Sequence, residues 1–515
     1  MGAARDRVDE KGDANAVTVV LVPFPAQGHV TPMLHLARAL AARGVAATVA
    51  VPDFIHRRIV KAGGGVELAS IPSGIPDGDG ADTAPGFATI VQAMERHMPA
   101  HLERMLMHDG GLVDGRRAAC LVVDVLASWA VPVAARCGVT AVGFWPAMLA
   151  SYRVVAAIPE LIDKGFISEY GIPILANGFN KDQSQVKANI RAEIISLLPA
   201  ELELSTTYLP WLVGDSVTQK SRFTFWLQTM ERAKSLRCIL VNSFPGKTTG
   251  AVVPDQQHPL QNQQILPVGP LLTNAIHRPK HNNNTNKLQG SPLKTKNTSM
   301  SQSDRTCIDW LDQQRPGSVT YVSFGTWVAP IAPAEITELA LGLQATGRPF
   351  LWVLKDDPSW RAGLPAGYTT ESGTVAGGRG RIVTWAPQED VLAHGAVGCY
   401  LTHCGWNSTM EAIRHGVRML CYPVSGDQFI NCAYIVKVWG VGIRLRSTDR
   451  GEVEDCVGRI VEGEEGRRLR VKLDELRERV MAGEAVCTAE RNIEDFIDGI
   501  MYGTERGCTG GLFWD

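Results

Sequence analysis

Residues 385–428 gather a tryptophan, a histidine, an asparagine, a glutamate and a closing Asp-Gln pair, beginning WAPQEDVLAHGAVGCYLTHCGWNSTMEAIRHG. Trp385 is an aromatic plate, and His403, Asn407 and Ser408 surround a Gly-rich turn. The β-prone run 398–402 reads as a buried strand, 403–407 as a tight connection, and 408–415 as a helix closed by Gly416. A strand, a glycine turn and a helix N-terminus present open backbone N–H groups and the positive end of the helix dipole. Such an end is a ready anion site, and a pyrophosphate fits it. With the aromatic plate and the convergent polar groups, the set has what is needed to hold a nucleoside diphosphate and a sugar. Plainer readings stand beside this one. Ser408-Thr-Met-Glu411 matches a capping box, in which the glutamate only satisfies backbone donors. A lone tryptophan is ordinarily a core residue.

A second set lies near the N-terminus. The apolar run VTVVLV at 17–22 predicts a strand buried on both faces. PFPAQGHV at 23–30 follows as a loop. A helix then starts with Thr31 as N-cap and Pro32 at its first position, with Gly44 just past its end. Leu34, Leu36, Ala37 and Leu40 form its apolar face. His29 therefore falls just beyond the carboxyl end of a central strand, where open α/β sheets place their ligands; the plainer reading is a surface loop residue. Imidazole as a side chain titrates near neutrality and suits a general base. A base that gains a proton benefits from a buried carboxylate behind it. Asp124, closing the run CLVVD at 120–124 ahead of a helix at 127–137, is the candidate, with a helix-cap role as its alternative. In VTYVSFGT at 319–326, a strand again ends in a glycine and a hydroxyl residue, Gly325 and Thr326.

The long segment resembles the signature of plant family 1 UDP-glycosyltransferases, secondary-product enzymes with the GT-B fold. The matching residues are Trp385, Ala386, Pro387, Gln388, His394, Gly398, His403, Cys404, Gly405, Trp406, Asn407, Ser408, Glu411, Gly416, Pro423, Asp427 and Gln428. The resemblance implies that Trp385 stacks on uracil while the backbone of Ala386 pairs with its edge. It gives Gln388 and Glu411 the ribose hydroxyls, setting the capping reading aside at least in part. His403, Asn407 and Ser408 take the phosphates, on the turn that Gly405 forms, and Trp406, Asp427 and Gln428 the sugar. A closing Gln, here Gln428, suggests glucose, whereas His at that place is associated with galactose. PAQGHVTPML is similar to the family's opening motif, in which the histidine corresponding to His29 is the general base. Asp124 matches its CxxxD pattern, and Gly325-Thr326 opens the donor domain, where Ser is usual after the Gly. Weaker matches are VNSF at 241–244, VGP at 268–270 and DWLD at 309–312. The likeness runs from Val17 to about residue 500.

What this implies is an α/β protein of two Rossmann-like doubly wound domains facing across a cleft. Residues 1–16 form a disordered tail and 17–274 an acceptor domain. The polar, Asn-rich stretch 275–304 is a flexible linker. Residues 305–484 bind the nucleotide sugar, and 485–515 return as a helix to the first domain and end in a tail. UDP-glucose is the expected co-substrate, with no cofactor and no metal. A small hydroxylated acceptor would meet Phe24, Trp129, Trp145 and Met148, although core packing explains each of these nearly as well. One displacement at the anomeric carbon would invert it to a β-glucoside. The alternatives are a different UDP-sugar, or a UDP-sugar-binding protein without catalysis. A Rossmann oxidoreductase is disfavoured because PAQGHV stands where GxGxxG is required.

Composition agrees. At 515 residues and 45% hydrophobic content, two or three cores are expected. A net charge of −2 gives no electrostatic case for nucleic acid or a membrane surface. Eleven cysteines without paired metal spacing fit reduced thiols in a cytoplasmic protein, and Cys399, His403 and Cys404 make a poor metal site. Asp77-Gly-Asp79 is similar to a metal-binding DxD but lies in a Gly/Pro-rich turn. No leader or anchor is expected, and the chain is expected to be a monomer.

Overall fold

The computed structural model describes residues 17–60, 66–76, 85–107, 118–174, 208–245, 263–272, 302–325, 331–370 and 372–505. Residues 1–16 and 275–301, Asp77-Gly-Asp79, Thr326 and residues 509–515 lie outside them.

The first sheet has seven parallel strands: β1 (Thr18–Val22), β2 (Ala46–Pro52), β3 (Glu67–Ile71), β4 (Ala118–Asp124), β5 (Thr140–Trp145), β6 (Cys238–Val241) and β7 (Gln264–Pro267). Their order is β3-β2-β1-β4-β5-β6-β7. β1 is buried at every position, as a strand covered by helices on both faces must be. The second sheet has six: β8 (Val319–Ser323), β9 (Phe350–Val353), β10 (Gly380–Val383), β11 (Val397–Thr402), β12 (Arg418–Cys421) and β13 (Gly442–Arg444). Their order, β10-β9-β8-β11-β12-β13, repeats the doubly wound plan.

In each sheet the strand order reverses once at the centre, between β1 and β4 and between β8 and β11. A crevice opens at such a switch point, beyond the carboxyl ends of the two strands, because their connections leave in opposite directions. His29 follows β1 and Asp124 ends β4; Gly325 follows β8 and His403 follows β11. Both chemical sets therefore sit at the places the topology opens.

Gly398 is structural rather than chemical. A Cβ there would lie 2.1 Å from the Gly317 carbonyl oxygen, where the pairing of β11 with β8 shifts register. The final helix, Glu484–Glu505, packs on β7 and β4, and Asn492 Nδ2 donates to the Pro267 carbonyl at 2.6 Å. Among the described residues no helix is long and apolar enough to cross a membrane.

Three local expectations are corrected. The first helix runs Gln27–Ala41, with Ala26 at its N-cap and Pro32 inside it, so Thr31 is not a cap and His29 belongs to the first turn. The segment after Asp124 is a short 3-10 turn, Val125–Ala127, followed by a helix at Ala130–Arg136. The helix after β11 starts at Trp406 with Gly405 as its N-cap. This removes the capping-box reading, because Ser408 is already inside that helix.

Candidate active site

His29 Nδ1 lies 2.8 Å from Asp124 Oδ2, and Asp124 is wholly buried. The carboxylate's other oxygen, Oδ1, accepts the Leu126 N–H at 2.9 Å. Asp124 is therefore both the turn cap and the partner of His29. A carboxylate oxygen only accepts, so Nδ1 carries the ring proton and Nε2 keeps its lone pair. The side chain of His29 is 23% exposed, enough for a substrate to reach it.

Helix interruption brings the two domains together beside this pair. Pro32 has no N–H to give the carbonyl four residues back, which is that of Gly28. Asn407 Nδ2 from the second domain donates to the Gly28 carbonyl instead, at 3.2 Å. The residue next to the histidine is thus held by the N-terminus of the opposite helix.

That helix, Trp406–His415, begins its internal bonding with Thr409 N–H on the Gly405 carbonyl. The N–H groups of Trp406, Asn407 and Ser408 precede it and have no acceptor within the helix. Gly416, at φ +66°, closes the other end in the left-handed conformation. Cys404 is the one non-glycine among the described residues with positive φ, 67°. Its N–H bonds Thr402 Oγ1 at 3.1 Å and its carbonyl accepts Asn431 Nδ2 at 3.0 Å, which together hold the turn. Its thiol groups with those of Cys421 and Cys432, not with Cys399 and His403.

His403 is buried against two glycines. A Cβ on Gly325 would lie 2.7 Å from its Nε2, and one on Gly405 would lie 2.5 Å from it. Burial pushes the imidazole down to about 4, with the Ser323 backbone pulling weakly the other way. At neutral pH it is therefore an uncharged ring, and its Nδ1 is buried with no hydrogen-bond partner among the described residues. Trp385 is 55% exposed, more than is usual for an indole, whereas Ala386 is buried.

Gln388 links the donor-side groups. Its Nε2 donates to Ser408 Oγ at 2.8 Å and Glu411 Oε2 at 2.7 Å. Burial raises the Glu411 carboxyl to about 7, against the opposing hydrogen bond from Gln388. Asp427 Oδ2 accepts from Asn431 Nδ2 at 3.0 Å. Burial raises its carboxyl too, while His29 across the cleft acts in the opposite sense. Gln428 Oε1 accepts the N–H groups of Val424 and Ser425, at 2.9 and 3.0 Å, so what it can present to a ligand is its amide N–H.

Some expected residues are placed elsewhere. The Trp406 indole is 4% exposed. It donates to the Asn242 carbonyl at 2.6 Å and packs on Phe244 and Trp439, so only its backbone faces the turn. Trp145 bonds Met148 O and Ser151 Oγ at 3.2 and 3.0 Å. Both Trp145 and Met148 are closed into the core, as is Trp129. Of the four acceptor candidates, Phe24 sets its ring against the histidine, with centroids 5.2 Å apart. Behind it come Phe225 and then Phe87, which the sequence did not single out.

Two doubly wound domains with their switch points face to face define the GT-B class. Residues 304–476 match the family described as UDP-glucoronosyl and UDP-glucosyl transferase, and residues 15–73 match the family described as the glycosyltransferase N-terminal domain. The chain is 43% identical over 487 residues to UDP-glycosyltransferase 82A1 of Arabidopsis thaliana, covering 92% of this chain and 96% of that one. To the DIMBOA UDP-glucosyltransferase BX8 of Zea mays it is 34% identical, over 89% of this chain and 93% of the relative. Among solved structures, Os79 of O. sativa in complex with UDP superposes with a TM-score of 0.70 at 25% identity, covering 94% of this chain and 100% of the other. A UDP-glucosyltransferase of Polygonum tinctorium superposes at 0.68 with 25% identity, over 95% and 99%. The chain belongs to the plant UDP-glycosyltransferases, which move a sugar from a UDP-sugar to a small acceptor.

Proposed function

We propose that this enzyme transfers glucose from UDP-glucose to a hydroxyl of a small lipophilic acceptor, with inversion to the β-glucoside. The observation that carries this reading is the His29–Asp124 pair at one switch point, facing the Trp406–His415 helix N-terminus and Asp427-Gln428 at the other. Uracil stacks on Trp385 with its edge on the Ala386 backbone, and the Gln388–Glu411 pair meets the ribose. The diphosphate lies on the N–H groups at residues 406–408, with His403 beside it. Asp427 and the Gln428 amide take the glucose hydroxyls. The acceptor enters along Phe24, whose apolar ring favours a lipophilic body.

His29 Nε2 takes the hydroxyl proton as the acceptor oxygen bonds to the anomeric carbon. On the opposite face the bond from that carbon to the phosphate oxygen breaks, and UDP leaves with the electron pair. Asp124 stabilises the imidazolium. The helix N–H groups meet the charge on the leaving phosphate without reorganising, which is where such donors act most strongly. Incubation with UDP-glucose and a panel of phenolic and terpenoid alcohols, read by hexose mass gain and UDP release, tests the reading. Transfer from another UDP-sugar in preference to UDP-glucose would overturn the glucose assignment.

Two further outcomes follow. Trp385→Ala is expected to weaken UDP-glucose binding by about 1–3 kcal/mol, the usual worth of a base stacked on an aromatic ring, in calorimetric titration. Glu411 sets a pH dependence. Its carboxyl, raised to about 7 by burial, must be ionised to accept two ribose hydroxyls, so donor binding releases its proton. UDP-glucose affinity is therefore expected to rise with pH up to about 7 and level off above it. UDP-glucose is the right probe because its diphosphate does not titrate there. Glu411→Gln should flatten the profile, and an unchanged profile in that variant would assign the dependence to another group.

A further inference from the structure

We propose that the thiols of Cys404, Cys421 and Cys432 form a binding site for a soft monovalent cation, Cu(I), held by three sulfurs at the turn that opens the Trp406–His415 helix. The transfer reaction calls on none of these thiols, so the site stands apart from the reading above.

The three residues come from different elements. Cys404 stands in the turn after β11, Cys421 ends β12, and Cys432 lies in the helix Gln428–Ala433. All three are buried, and their sulfurs lie within 4.8 Å of one another. Metal–thiolate bonds of about 2.3 Å set three sulfurs in a trigonal plane about 4 Å apart, so the cluster has only to contract slightly around an ion. Among the described residues no other group of three or more cysteine, histidine or acidic side chains converges in this way. The backbone holds two of the ligands before any ion arrives. Cys404 N–H bonds Thr402 Oγ1, and the Cys404 carbonyl accepts Asn431 Nδ2 from the residue before Cys432. Such outer hydrogen bonds are what fix the ligands of a metal site.

Thiolate sulfur selects Cu(I), zinc or iron–sulfur clusters. Zinc in a structural site closes four positions, and this cluster supplies three. The neighbouring His403 ring is turned against Gly325 and Gly405. The Thr402 carbonyl, 3.7 Å from Cys404 Sγ, is a hard oxygen already engaged by the Tyr422 N–H at 2.8 Å. Three soft donors without a fourth suit trigonal Cu(I). Binding forms copper–sulfur bonds, breaks one S–H bond for each thiolate formed and releases that proton to water, with no electron transferred. Arg444, whose charge acts on Cys432, offsets part of the resulting negative charge. The bound ion ties the turn after β11 and the end of β12 to the helix that begins with Gln428.

The test is an anaerobic titration of the reduced full-length chain with Cu(I) against bicinchoninate as competitor. A Cys487→Ser/Cys508→Ser background removes the exposed thiol and the one nearest the C-terminus. The expected result is a single Cu(I) per chain, three sulfur neighbours in X-ray absorption at the copper edge, and a raised thermal midpoint. Cys432→Ser is expected to weaken Cu(I) binding by roughly a hundredfold, the upper end of what losing a group that only orients a ligand costs, and to leave fewer than three sulfurs. Cys399→Ala, which removes a buried thiol of β11 outside the cluster, should leave both readouts unchanged. No copper retained against bicinchoninate, or coordination by nitrogen or oxygen, would overturn the proposal and make the three thiols core packing. Native affinity in Cys432→Ser would overturn it too, as would an equal loss in Cys399→Ala. Should Cys432→Ser not fold, Cys421→Ala decides by the same two readouts.

Discussion

Replacing His29 by alanine is expected to lower kcat by about 10²–10⁴-fold, the range general-base removal commonly costs, while UDP-glucose still binds. The informative companion is Asp124→Asn. Asp124 serves two donors at once, the Leu126 N–H through Oδ1 and the His29 Nδ1–H through Oδ2. An asparagine has one oxygen and one NH2 group, so it cannot serve both. If its oxygen stays on the Leu126 N–H, its NH2 faces His29 Nδ1. The ring must then move its proton to Nε2, the atom that should accept from the acceptor hydroxyl. The wrong tautomer leaves the geometry in place and removes the base, so Asp124→Asn should approach the loss seen for His29→Ala. Steady-state kinetics at saturating UDP-glucose check this beside calorimetric donor affinity. Native kcat in the asparagine variant would show that Asp124 only caps the turn.

The His29–Asp124 pairing was legible across 95 residues because His29 follows one apolar run and Asp124 closes another, because strand ends at a switch point converge on one crevice, and because both residues stand in motifs similar to the family's. The two-sheet plan came with the resemblance, and the continuous apolar runs of fully buried parallel strands agreed with it. What misled was local grammar. Pro32 looked like a first-turn proline, yet it sits one turn inside the helix, where its missing N–H leaves the Gly28 carbonyl for Asn407. Ser408 and Glu411 had capping-box spacing, but Gly405 caps the helix and the glutamate bonds Gln388. Trp145 and Met148 read equally as pocket or core, and the indole N–H bonds to Met148 O and Ser151 Oγ place them in the core. Cys404, Cys421 and Cys432 gave no signal as a set. They stand too far apart in the sequence for a metal-ligand pattern, and only the fold brings a turn, a strand end and a helix together at one point.

The interdomain wall was equally silent, and it carries the second large effect. Trp406 was expected at the sugar, but its indole stacks on Phe244 at 6.1 Å and donates to Asn242 O from the other domain. Asn242 is itself tied down, its Oδ1 accepting the Leu271 N–H at 2.7 Å and its Nδ2 donating to Pro146 O at 3.1 Å. Trp406→Ala would open a cavity between the domains and orphan a buried carbonyl. A loss of about 3–5 kcal/mol in stability is expected, read as a lower denaturation midpoint in urea by far-UV circular dichroism. Trp406→Phe keeps a ring against Phe244 and removes only the N–H, so its loss should be nearer 1–3 kcal/mol. The phenylalanine variant also separates the two roles. An indole in contact with glucose would raise the KM for UDP-glucose when replaced. An indole that braces the wall leaves that KM near native and shows its effect in the midpoint, because only the backbone of residue 406 reaches the phosphate side of the turn.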